Sequence, residues 1–122
     1  MRIILGLGGA PDAMIALDQT VERVTMTGDS LTVAILENPA SDRSPDAIQA
    51  AVEEALASAK IEADIVQLEG DPGPALAEYA ETEDFDRIVL GGGQRSPMGK
   101  IAVGEIAEFV LLNADRTVTL IR

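Results

Sequence analysis

Residues 87–104 read Arg-Ile-Val-Leu-Gly-Gly-Gly-Gln-Arg-Ser-Pro-Met-Gly-Lys-Ile-Ala-Val-Gly. A short β-branched run, Arg87 to Leu90, breaks into a glycine-dense loop that carries Arg95, Ser96 and Lys100. The start of the chain repeats the arrangement: Ile3 to Leu7 runs into Gly8 and Gly9, then Ala10-Pro11-Asp12. Both runs are apolar at successive positions, as interior strands of a sheet covered on both faces are. Glycine permits positive φ and lets backbone N–H groups approach an anion closely.

Working outward, three more strand-like runs appear: Leu31 to Leu36, Ala63 to Leu68 and Thr117 to Ile121. Each is bounded by Gly, Asp, Asn or Pro, as strands usually are. Helix-period stripes lie between them. Met14, Leu17, Val21 and Val24 form one, which Gly28 can end. Ser44-Pro45 reads as an N-cap with proline at the first helical position, ahead of Ile48, Val52, Ala55, Leu56 and Ala59. Pro74 opens a shorter helix with Leu76 and Ala80 inward. Val103, Ala107, Val110 and Leu111 make the last stripe, closing near Asn113.

Strand-helix repeated four times and then a final strand implies an open parallel sheet of five strands with helices on both faces. The last strand alternates Thr117 and Thr119 with Val118 and Leu120, so it reads as an edge with one less buried face. The 122 residues fit one domain spanning 1–122, without repeat, linker or low-complexity tract.

Composition removes many functions. There is no Cys and no His, which excludes disulfides, thiolate nucleophiles, Cys/His zinc sites and histidine-based triads. Asp and Glu number 21 against 9 Lys and Arg, a formal charge of -12 that opposes generic nucleic-acid binding. No apolar run approaches the roughly 20 residues of a membrane span, and a cytoplasmic chain is expected. Seven of the nine bases are Arg. Many carboxylates with little Lys suits a halophilic protein, whose self-repulsion salt screens.

In open α/β sheets ligands sit beyond the carboxyl ends of the strands, where the winding reverses. If the first and fourth strands are neighbours there, the two glycine loops face one crevice. The helix beginning near Gly104 would aim its positive end at the same place. Residues 1–86 hold 18 acids and 4 bases, whereas residues 87–122 hold 3 acids and 5 bases. Two readings follow: a small-anion site using Arg95, Ser96 and Lys100, or a loop whose bases offset nearby carboxylates. Glu105, in the first turn of the last helix, would be stabilised by the helix dipole and bond Arg95 or Lys100. Asp84 and Asp86 flank the amino end of a strand and read as a solvated loop. The Walker pattern fails, because Gly99-Lys100 precedes Ile101. The dinucleotide fingerprint fails at Pro11.

From Ile88 to Arg122 the chain resembles the C-terminal half of a universal stress protein, and its strand and helix order extends the resemblance to the whole length. The resemblance implies a flavodoxin-like, adenine-nucleotide-hydrolase-like sheet in the order 3-2-1-4-5 and a homodimer through the last strand, Thr117 to Ile121. It also implies a crevice formed by Gly8, Gly9, Gly91, Gly92, Gly93, Arg95, Ser96, Lys100, Gly104 and Glu105. Some members of that family bind ATP through Gly-two residues-Gly-nine residues-Gly-Ser/Thr. Gly91 and Gly104 match the first and third glycines; Gln94 and Glu105 depart from the second glycine and the hydroxyl. The Asp that ATP-binding members place after the first strand is Gly8 here. The expectation is a non-catalytic, regulatory stress-response homodimer with a degenerate nucleotide crevice and no metal. The alternatives are an ATP-binding member using the glycine loop, and a dinucleotide module of another flavodoxin-like family.

Overall fold

A computed structural model describes residues 1–8, 13–38, 43–91 and 104–121, with main chain alone at 94–95 and 101–102. Five parallel strands form the sheet: β1 (Arg2–Leu7), β2 (Ser30–Leu36), β3 (Asp64–Leu68), β4 (Arg87–Gly91) and β7 (Thr117–Ile121). Their order is β3-β2-β1-β4-β7, so counted by strands of the sheet it is 3-2-1-4-5 as expected. β1 pairs with β2 through Ile3↔Leu31 and with β4 through Ile4↔Ile88, which puts the reversal between β1 and β4.

The period of two along each strand divides the core. Ile3, Leu5, Leu7, Val33, Ile35 and Val89 pack with α1 (Ala13–Thr27) and α2 (Pro45–Ala59) on one face. Ile4, Leu36, Ile88 and Leu90 pack on the other face with α3 (Pro72–Thr82) and α4 (Glu105–Asn113). Two right-handed crossovers therefore build each face. The tightest approach is at Gly6. A Cβ there would lie 2.6 Å from Cδ2 of Leu76 and 3.0 Å from Cδ2 of Leu90. A side chain at Gly6 would force the Leu76 side chain of α3 to shift.

Local signals set the helix ends. Ser44 caps α2, its Oγ accepting from the Ala47 N–H at 3.1 Å, with Pro45 at the first helical position. Gly28, at φ +77°, ends α1 in the left-handed conformation that costs glycine least. α3 starts at Pro72, two residues before the expected Pro74, with Asp71 at the N-cap. Both prolines fit within the first turn, where the missing N–H has no helical partner anyway. Leu111, expected inward, is 43% exposed. The inward stripe of α4 runs through Ala107 and Val110, and Leu111 lies about 100° further round that helix. Val103, expected in the same stripe, lies outside the described residues.

One further expectation needs correction. The loop after β4 contains an antiparallel pair, β5 (Gln94–Arg95) with β6 (Ile101–Ala102). The five residues between them, 96–100, lie outside the described residues. β7 is an edge strand as expected, with Thr117 exposed on the face that also carries Thr119 and Ile121. Val118 and Leu120 pack on the α3–α4 cluster, while Ile121 packs on the α1–α2 cluster.

The amino ends of β1 and β4 are pinned by charge. Asp86 accepts from the Arg2 N–H at 2.7 Å and returns its own N–H to Arg2 O at 2.9 Å. Asp84, at φ +56°, pairs with Arg116 at 3.2 Å. These acids thus clip β1, β4 and the start of β7 rather than simply meeting solvent. They lie at the opposite end of the sheet from the glycine loops.

Candidate functional site

At the carboxyl ends of the strands, β2 ends in Glu37-Asn38 and β3 in the turn Glu69-Gly70-Asp71. The N-termini of α3 and α4 face the same space. Together they line a groove of about 710 Å³ whose walls include Glu37, Asn38, Asp71, Glu105, Ile106 and Phe109. Asn38 holds two strand ends together, its Nδ2 donating to Gly8 O at 2.8 Å. Glu37 braces the turn after β3, its Oε2 accepting from the Gly70 N–H at 3.1 Å. At Gly73 a Cβ would meet the Phe109 ring and its Cβ at 3.0 Å, so this glycine lets the first turn of α3 close on α4.

The expected residues fall as follows. Gly8 follows the last residue of β1. A Cβ on it would lie 3.2 Å from Cδ1 of Ile106 and 3.5 Å from Nδ2 of Asn38. Ile106 has moved an apolar methyl up to the position where the resemblance calls for an Asp side chain. Gly91 closes β4 opposite Ile121. Gly104 is the N-cap of α4 and offers no side-chain bond to the first turn. Glu105 is the first residue of α4, exposed, on the wall of the groove. Gly9, Gly92, Gly93, Ser96 and Lys100 lie outside the described residues, as do the side chain of Arg95 and any bond from it or Lys100 to Glu105.

Electrostatically the described lining is one-sided. Glu37, Asp71 and Glu105 bring three carboxylates, and no described lining residue is basic. Two helix N-termini, each carrying about half a positive charge, point at the same space. Asp71 and Glu105 therefore supply from within the chain the negative charge that such termini attract from a ligand. The described residues include no cluster of three or more acids arranged to hold a metal ion. Glu37, Asn38 and Asp71 carry no glycine-loop signal in the sequence, since they follow β2 and β3 and reach the groove only through the fold. Ligands in open α/β sheets sit beyond the strand carboxyl ends, and those of β2 and β3 reach this space as well as those of β1 and β4.

A parallel sheet wound from a β1/β4 reversal, with a groove at its carboxyl edge, defines an open, flavodoxin-like α/β fold. The universal stress protein family model matches residues 1–122, and the chain belongs to that family. A universal stress protein of Methanothermobacter thermautotrophicus is 40% identical over 57 residues, an alignment spanning 47% of this chain and 38% of that protein. A universal stress protein solved in complex with cAMP superposes with a TM-score of 0.77 at 19% identity, covering 100% of this chain and 96% of that one. An Arabidopsis thaliana family member solved with AMP bound gives 0.70 at 12% identity, covering 99% and 90%. At these identities the two structures establish the fold.

Proposed function

We propose that the chain is a non-catalytic, regulatory stress-response protein of the cytoplasm, acting as a homodimer paired through β7, with a crevice degenerate for nucleotide. The carrying observation is the groove lining: Glu37, Asp71 and Glu105 stand where two helix N-termini converge. Ile106 supports it by crowding the end of β1. Relatives of this fold have been solved with cAMP and with AMP, and the acids in this groove oppose a polyphosphate. No described pairing of a nucleophile with a base suggests turnover. The direct test is titration of Mg-ATP into the native protein by calorimetry. Weak or undetectable binding supports the reading. Micromolar binding with phosphate release would replace it by the ATP-using alternative.

The halophilic reading makes a second prediction. At -12 on a small domain, self-repulsion destabilises the compact state at low ionic strength. The Debye length falls from about 10 Å at 0.1 M salt to about 3 Å at 1 M. The melting temperature is expected to rise by several degrees between those KCl concentrations. A flat melting temperature would remove the halophilic reading and leave the rest intact.

A further inference from the structure

On the sheet face opposite α3 and α4, a second groove of about 930 Å³ runs between α1 and the strands β1, β4 and β7. Its floor is apolar, with Ile3, Val89 and Ile121, and its α1 wall carries Arg23 and the exposed Met26. Arg87 enters from β4. Its Nε is fully buried and has no hydrogen-bond partner.

The arginines sort unevenly in this chain. Arg2 donates to Glu83 O and stacks on Phe85 at 4.4 Å, Arg116 pairs with Asp84 and Asp115, and Arg43 is also engaged. Arg23 and Arg87 have no hydrogen bond or ion pair among the described residues, and both line this groove. Two unpaired arginines in so acidic a chain need an explanation. The carboxylate whose field Arg87 shares is Asp29, and Asp29 is already committed. Its Oδ1 takes the Met1 ammonium at 2.7 Å and its Oδ2 the Thr27 hydroxyl at 2.7 Å. Glu22 also lines the groove, but as the chain neighbour of Arg23 it does not face it on the helix.

We propose that this groove is a second ligand site, taking a small organic oxyanion: a phosphate or carboxylate carried on an apolar body. A guanidinium fork matches either group in bidentate fashion, and the floor suits an apolar remainder. The volume lies within the range of small-molecule sites, and the proposal does not rest on the crevice reading.

The test is titration of phenyl phosphate, benzoate and inorganic phosphate into isotope-labelled native protein at fixed ionic strength, followed by NMR. Saturable shifts at Arg23, Arg87 and Thr119 are expected, with phenyl phosphate or benzoate the tighter according to whether the site prefers phosphate or carboxylate. Inorganic phosphate, lacking the apolar body, should bind about tenfold more weakly than phenyl phosphate. Arg87→Gln should weaken binding about tenfold and Arg23→Gln severalfold. If Arg87→Gln fails to fold, Arg87→Lys keeps the charge, loses the fork, and should still weaken binding severalfold. Shifts that rise linearly without saturation overturn the proposal. Saturable shifts unchanged in the variants, or confined to Gly104 and Glu105, overturn it too. So does a loss of dimer in Arg23→Gln with no probe saturating, which would give the groove to a second copy of the chain.

Discussion

Gly6→Ala and Leu76→Ala each destabilise the fold, and the double variant is less destabilised than their sum. Leu76 is fully buried, and its Cδ2 stands 2.6 Å from where a Gly6 Cβ would be. Truncating it opens a cavity and costs about 2–5 kcal/mol. Adding a methyl at Gly6 overpacks the same contact and costs about 1–3 kcal/mol. In the double variant the new methyl enters the space that Leu76 vacates. The favourable coupling should fall within about 0.5–3 kcal/mol, read from urea unfolding of all four proteins. A domain of this size has about 5–15 kcal/mol in total, so Leu76→Ala alone takes a large share. Strict additivity would mean that α3 does not close on β1 at Gly6.

Val118→Pro is expected to abolish the proposed homodimer. β7 is the open edge next to β4, and its five residues Thr117–Ile121 carry no charge and no proline to blunt pairing. Antiparallel pairing of two such edges about a two-fold axis satisfies the backbone of both. Proline at the strand centre deletes a ladder donor and clashes with a neighbouring strand. Light scattering should show the wild type as a dimer at micromolar concentration and the variant as monomer or aggregate. A wild-type monomer, or a variant that stays dimeric, would place the interface elsewhere.

The strands were legible because their signal is local. Ile3–Leu7, Leu31–Leu36 and Thr117–Ile121 lie within the observed strands, since apolar runs between turn formers leave few alternatives. The α2 cap at Ser44-Pro45 was legible for the same reason. The strand order came from the resemblance, because nothing within a single run says which run lies beside it. The start of α3 was misread because Pro74 hid the equally compatible Pro72. Leu111 was misplaced because a nine-residue helix is too short for its stripe to be fixed by periodicity. Of the residues singled out in the sequence, Glu105 lies on the groove wall, and its place was legible from the resemblance and from the start of α4. Glu37, Asn38 and Asp71 were not legible, because the ends of β2 and β3 reach the groove only through the fold. Ile106 reads as a helix residue in sequence, and its closeness to Gly8 is a consequence of how α4 docks.

In the proposed function this family member's crevice repels nucleotide phosphates through its own carboxylates. Glu105 is exposed, so its repulsion of a phosphate at about 4 Å lies nearer the value in water, about 1 kcal/mol, than the value in a dry site. Removing that repulsion and supplying a hydroxyl donor should tighten binding about five- to tenfold. The decisive measurement is calorimetric titration of Mg-ATP into wild type and Glu105→Ser at identical, fixed salt. The expected result is no saturation of the wild type at micromolar nucleotide and measurably tighter binding by Glu105→Ser. Micromolar binding by the wild type, unchanged in Glu105→Ser, would contradict the claim and make the chain a competent nucleotide-binding universal stress protein.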